Sequence, residues 1–278
     1  MTERNKGILL MIAGSLFAAI MAALVKTTGD LPTAEKLFFR SAVGTVIMGG
    51  IVARSNEPFL GRNKKLLAAR GILGFSGLAL YFFSIERLPL GNAVLLNQVS
   101  PFFTIILALL FLQEKVSAKQ WLATAIAITG VVLVSKPTAG YTLLPALAGL
   151  LSAIFSGASH VVIRELRKTD SPDMIVFYYT GMTSLVSLPF MLGSRFQAPT
   201  LPQLGGMLAA GVAATISQWL LSCAYRYSKA GDLSLYLYAN TVFATLLGAI
   251  FWHEIPDFLS LAGIILVLTG ACINTYSS

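Results

Sequence analysis

The sequence predicts an all-α integral membrane protein: ten transmembrane helices, arranged as two inverted five-helix repeats around a central cavity. Three observations carry that expectation. The 278 residues are 56% hydrophobic and only 12% charged, about half the charged share of a soluble domain. The apolar residues fall into ten stretches, each long enough to cross most or all of roughly 30 Å of hydrocarbon as a helix. The second half also repeats the first when the chain is shifted by 140 positions.

The first stretch, Gly7–Val25, begins almost at once and reads as a retained span rather than a cleaved leader. It carries Ser15, Ala22 and, at its end, Lys26. Glu35–Ala53 follows, with Arg40 one to two turns inside its end. The third, Ala69–Leu88, sets Gly77, Tyr81 and Ser84 on one helical stripe, since neighbours on a face lie three, four or seven apart. The fourth, Gly91–Leu112, is the stretch around which the rest is organised. Asn97, Gln98, Ser100 and Pro101 fall near its centre, where lipid rejects them. Pro101 has no N–H to donate, so the carbonyl of Asn97 loses its helical partner. Such groups are tolerated at membrane depth only against protein or water. Ala118–Ser135, the fifth, is poor in polar residues beyond Thr124 and Thr129.

The sixth, Leu143–Ile163, aligns Ser152, Ser156 and Ser159, with His160 toward its end. Asp173–Gly193 is the seventh. The eighth, Gln203–Tyr227, aligns Gln218, Ser222 and Tyr225 and also carries Trp219. The ninth, Gly231–Trp252, aligns Tyr236, Asn240 and Phe243. The tenth, Phe258–Tyr276, is again apolar apart from Thr269. The fifth and tenth suit an outer position or a subunit contact, as in a homodimer. Strands of a membrane barrel would be about 10 residues long and alternating, and these stretches are neither.

The shift by 140 pairs Gly91 with Gly231, Phe103 with Phe243, Glu114 with Glu254, Thr129 with Thr269 and Gly130 with Gly270. Ser100 falls on Asn240, so the polar middle recurs as well. The cut lies within Lys136–Tyr141, dividing the chain into units 1–137 and 138–278. With the N-terminus in the cytoplasm, the inner segments hold Arg4 and Lys6; Arg54, Arg62, Lys64, Lys65 and Arg70; Lys115 and Lys119; Arg164, Arg167 and Lys168; and Arg226 and Lys229. Only Lys26, Lys36, Arg87, Lys136 and Arg195 fall outside. Short-loop cations favour the cytoplasmic side, so both termini are expected there, in a multi-pass plasma-membrane protein. This bias, not nucleic-acid binding, accounts for the net charge of +8. Five spans per unit is odd, so the second unit enters from the opposite side, as in many secondary transporters.

The polar stripes imply a cavity lined by spans one, three, four, six, eight and nine. The residues expected to touch a small-molecule substrate there are Arg40, Tyr81, Asn97, Gln98, Ser100, Ser156, Gln218, Trp219, Ser222, Tyr225, Tyr236 and Asn240. An amide brings donors and an acceptor that hydrocarbon cannot satisfy. Hydrogen-bonded glue between helices is the rival explanation for each of them. Arg40 is expected to snorkel to the interface, with a ligand carboxylate or Glu86 as the other partners. Lys26, Glu35, Glu86 and Arg87 read as interfacial anchors or a polar vestibule. Glu114 and Glu254 read as helix caps, because they recur at equivalent helix ends. No carboxylate lies near the middle of a span, no GxxxxGK loop is present, and no nucleophile elbow or metal-ligand cluster appears. Neither ATP hydrolysis, an enzymatic activity nor a cofactor is expected. Cys223 and Cys272 lie inside apolar stretches and suggest no disulfide framework.

The whole chain resembles the EamA family of the drug/metabolite transporter superfamily. The resemblance rests on EKLFFRS at Glu35–Ser41, SPFFTIILALLFLQEK at Ser100–Lys115 and GVVLVSKP at Gly130–Pro137. In the second half it rests on FWHEIP around Glu254 and LAGIILVLTGACI at Leu261–Ile273. The second half has Thr241 where the first has Pro101, so a less broken ninth helix is expected. The resemblance implies a carrier of amino acids, other metabolites or drugs, often moved outward by alternating access. The leading expectation is an exporter of amino acids or similar amphipathic metabolites. The rivals are a carrier of organic cations or drugs and a non-transporting scaffold or receptor.

Overall fold

The computed structural model describes residues 3–29, 31–55, 58, 61–85, 87, 96–135, 143–193, 196–252 and 258–275. Every regular element among them is helical. In chain order these are α1 (Glu3–Thr27), α2 (Thr33–Arg54), α3 (Lys64–Ile85), α4 (Ser100–Phe111), α5 (Ala118–Ser135), α6 (Leu143–Leu166), α7 (Pro172–Gly193) and α8 (Leu201–Tyr227). Then come α9 (Ala230–Ser234), a 3-10 turn at Leu235–Tyr238, α10 (Ala239–Trp252) and α11 (Phe258–Thr275). Seven described segments are long and apolar enough to cross a membrane: α1, α2, α3 as far as Ser84, α6, α7, α8 and the run Ala230–Phe251. Helix α4 and the Leu261–Gly270 part of α11 are shorter apolar helices.

Local chemistry sets several of these boundaries. Proline opens α7 and occupies the first turn of α8, where its missing N–H costs no hydrogen bond. A capping box also starts α8, with Gln203 Oε1 accepting from the Thr200 N–H at 2.9 Å. Pro101 sits in the first turn of α4, so the fourth apolar stretch is interrupted at Gln98 and Val99. The ninth stretch is interrupted too, despite Thr241, at Leu235–Tyr238, which under the shift of 140 overlaps the first break only at Tyr238. The 3-10 turn tightens the backbone there, and the Tyr236 carbonyl accepts from Ser15 Oγ of α1 at 3.3 Å. A side chain from another helix thus satisfies an irregular backbone, and no proline is needed.

The principal pairings are α1 on α8, α3 on α6, α2 on α7 and α5 on α11, followed by α4 on α6, α1 on α10, α2 on α8 and α3 on α7. Exchanging α1 with α6, α2 with α7, α3 with α8, α4 with α10 and α5 with α11 maps this set onto itself. The α5–α11 crossing repeats the symmetry at atomic scale. A Cβ on Gly130 would lie 2.5 Å from the Gly263 carbonyl oxygen and 2.9 Å from the Val267 nitrogen. A Cβ on Gly270 would lie 2.7 Å from the Ala123 oxygen and 3.2 Å from the Ala127 nitrogen. The same shift of 140 relates both contacts.

The bundle end that holds the start of α1 and the end of α8 is filled by apolar side chains. Met11, Leu67, Ile163, Leu166, Met174 and Leu221 are all buried there. Glu114 fastens the same end. Its two carboxylate oxygens accept from the Ala230 and Gly231 N–H groups, both at 3.3 Å, and Arg164 Nε lies 3.6 Å away. Arg164 in turn donates to the Tyr225 carbonyl at 2.6 Å. Glu114, expected to cap the helix that follows it in the chain, instead meets the start of α9, over 110 residues away; Glu254 lies outside the described residues. Glu114→Ala should lower thermal stability in detergent by about 1–2 kcal/mol, and an unchanged unfolding temperature would remove this fastening from the account.

Candidate functional site

Polar side chains converge where the two halves of the chain meet, and they form two connected groups. The first joins the broken fourth and ninth stretches to α6. Asn97 Nδ2 donates to Ser152 Oγ at 3.1 Å, and Gln98 Nε2 donates to Thr241 Oγ1 at 2.9 Å. Ser100 is buried, and its carbonyl accepts from Thr104 Oγ1 at 3.0 Å. Gly157 lets α6 approach this backbone: a Cβ there would stand 3.0 Å from the Ser100 oxygen. Thr104 Oγ1 also lies 3.4 Å from His160 Nδ1.

The second group is built around Arg70 in the second turn of α3. Its side chain is buried, at 4% exposure. Nη1 donates to Ser159 Oγ at 2.6 Å, and Nη2 donates to Gln218 Oε1 at 2.7 Å. The guanidinium lies 3.9 Å from the centroid of the Tyr179 ring, a cation–π distance. Its Nε is buried without a hydrogen-bond partner among the described residues. The His160 and Tyr225 rings lie 5.9 Å apart beside it. Ser222 Oγ, Tyr225 Oη and Asn240 Oδ1 are buried and have no hydrogen-bond partner among the described residues.

Arg70 is the residue that charge counting misplaced. Counted as a loop cation, it sits inside the bundle, because α3 begins at Lys64 rather than near Ala69. The signal was present: Arg70 stands seven residues before Gly77, on the stripe that continues to Tyr81 and Ser84. Tyr179, from the seventh stretch, was likewise outside the expected lining.

The other expected site residues are distributed as follows. Arg40 is buried at 8% exposure rather than snorkelled, since its face of α2 packs on α8, where a Cβ on Gly211 would lie 3.1 Å from the Arg40 carbonyl. Its expected alternative partner Glu86 lies outside the described residues. Tyr236 is buried, with its carbonyl bound to Ser15. Tyr81 is half-buried beside Phe82. Ser156 is half-buried against Gly77, where a Cβ would stand 3.1 Å from its Oγ. Trp219 is set apart: it is 36% exposed, and its indole N–H donates to Asp173 at 2.6 Å. Of the expected vestibule, Lys26 and Arg87 are exposed, whereas Glu35 is buried and accepts from the Gln197 N–H at 2.8 Å. One groove lies at Leu122, Ile265 and Leu268, and another at Leu73, Leu107 and Val161.

Residues 5–136 and 143–276 each match the profile of the EamA-like transporter family. A pseudopaline exporter of Pseudomonas aeruginosa is 34% identical over 272 residues, covering 97% of this chain and 95% of that one. An S-adenosylmethionine uptake transporter of Rickettsia bellii is 24% identical, covering 87% of this chain and 84% of that one. A riboflavin transporter of Rhizobium johnstonii is 28% identical, covering 81% and 72%. A crystal structure with 16% sequence identity superposes with a TM-score of 0.86 over 98% of this chain and 97% of that one, which marks a shared fold.

Proposed function

Because this chain belongs to the EamA-like transporter family, we propose that it exports a small amphipathic metabolite, with amino acids as the favoured class, across the plasma membrane by alternating access. The protein is a membrane transporter and not an enzyme. The observation that carries the finer reading is the buried polar cluster around Arg70, Gln218, Ser222 and Tyr225, at the seam between the halves. Polar atoms without protein partners are costly at such depth unless a ligand or water meets them.

The twofold match of the family profile and the self-mapping helix pairings support two repeats, cut near residues 137 and 138. The cation bias supports inverted insertion of those repeats, with both termini cytoplasmic. Outward transport is the direction carried in the name of the pseudopaline relative, which matches nearly the full chain. Release toward the cytoplasmic side would require the apolar plug at Met11, Leu67 and Leu166 to part. The structure thus fits a conformation shut on that side. An organic cation is disfavoured, because it would meet the Arg70 guanidinium. In proteoliposomes loaded with labelled amino acids, saturable efflux above protein-free vesicles is expected. Efflux of labelled organic amines alone would refute the amino-acid assignment, and no efflux of either would refute the small-metabolite reading.

A further inference from the structure

We infer that Arg70 is the seat of a carboxylate on the transported molecule, an inference that rests on the carrier reading above. The guanidinium is sunk in the bundle, yet its partners among the described residues are all neutral: the Ser159 hydroxyl, the Gln218 amide oxygen and the face of Tyr179. No described carboxylate pairs with it. A second buried arginine, Arg40, is near enough for the two charges to interact, which adds like charge rather than relief. Buried cations are ordinarily paired, because solvation lost on burial must be replaced by an opposite charge. Here the neutral acceptors orient the group without neutralising it.

The donor geometry fits a carboxylate. Arginine has five N–H donors in one plane, and two are engaged with Ser159 and Gln218. The Nε–H is buried without a hydrogen-bond partner among the described residues, and it shares an edge with an Nη, the fork that grips both oxygens of a carboxylate. Ser222 and Tyr225 lie one and two turns beyond Gln218 on α8, with hydroxyls that lack hydrogen-bond partners among the described residues. They can receive the rest of a polar ligand held by its acid group. A site of this kind discriminates an acid from the amine that lacks it, because the amine leaves the buried fork unanswered.

The test uses the full-length protein in detergent and three matched sets of probes: leucine, isoamylamine and isocaproate; phenylalanine, phenethylamine and hydrocinnamate; methionine and its decarboxylated amine. The carboxylate-bearing members should raise the unfolding temperature of the wild type, and the amines should not. Arg70→Gln should weaken the response about 10- to 100-fold, the range set by a lost charge-assisted hydrogen bond. Should Arg70→Gln fail to fold, Gln218→Glu decides. It places an internal carboxylate on Nη2, keeps the fold, and should abolish the response to added acids. The inference is overturned if amines stabilise as well as acids, if no acid stabilises the wild type, or if Gln218→Glu responds like the wild type. Amine efflux indifferent to Arg70→Gln would sink this site while leaving a carrier standing. Arg70-dependent acid binding without flux would sink the carrier and leave the site.

Discussion

A Gln218→Leu variant should be both inactive in flux and measurably less stable than the wild type, by on the order of 3 kcal/mol. A residue that merely lined a wet chamber would lose flux alone. Gln218 Oε1 instead accepts from Arg70 Nη2 at 2.7 Å, and Arg70 already has a buried Nε without a hydrogen-bond partner among the described residues. Leucine removes an acceptor from a buried cation and offers nothing in return, so the remaining charge is stranded in a low-dielectric bundle. Asn97→Leu provides the scale. Asn97 is half-buried and gives up a neutral hydrogen bond to Ser152, at a cost of about 1 kcal/mol. Thermal unfolding in detergent separates the two, and Gln218→Glu should move the midpoint the other way by pairing the charge. Equal midpoints for wild type and Gln218→Leu would mean that the Arg70 contact carries no energy.

The same contact explains what the sequence could and could not reveal. Apolar helical stretches, the break beside Pro101 and the polar stripes on the sixth and eighth stretches follow from composition and a period near 3.6 residues, whereas the fourth stretch, expected as one span over Gly91–Leu112, is described as a helix only over Ser100–Phe111. Arg70 was hidden because a cation near a helix end satisfies two rules at once. It counts toward the charge bias of a short loop, and it also continues an inward stripe. Only the start of α3 at Lys64, a full turn before the apolar run, decides between them. Trp219 shows the opposite error, since an aromatic next to Gln218 in sequence lies on another face of α8 and donates outward to Asp173. The interruption at Leu235–Tyr238 had no proline to announce it; it is held by the Ser15 hydroxyl, a partner more than 200 residues away.

Replacing Gly130 by leucine should be among the most damaging single changes outside the polar centre, and Gly270→Leu should match it. At both positions the nearest neighbours of an added Cβ are backbone atoms of the opposite helix, at 2.5 Å for Gly130 and 2.7 Å for Gly270. A flexible side chain could move aside; a carbonyl in a helix cannot, so α5 and α11 must separate. Close approach of helix backbones across small residues is what holds such pairs together in lipid, where no hydrophobic force does so. Forced overpacking costs about 1–3 kcal/mol, and lost packing along the crossing adds to it. Because Gly130 abuts Gly263 and Val267, while Gly270 abuts Ala123 and Ala127, the two contacts lie in one interface related by the shift of 140. Once the first leucine has parted the helices, the second meets less resistance. The double variant should therefore fall well short of the sum of the singles. Gly50→Ala, where nothing lies within 4 Å of the added methyl, serves as the control and should be neutral or slightly stabilising. Additive losses at Gly130 and Gly270, or a loss at only one of them, would show that the crossing is not the single twofold contact that its geometry describes.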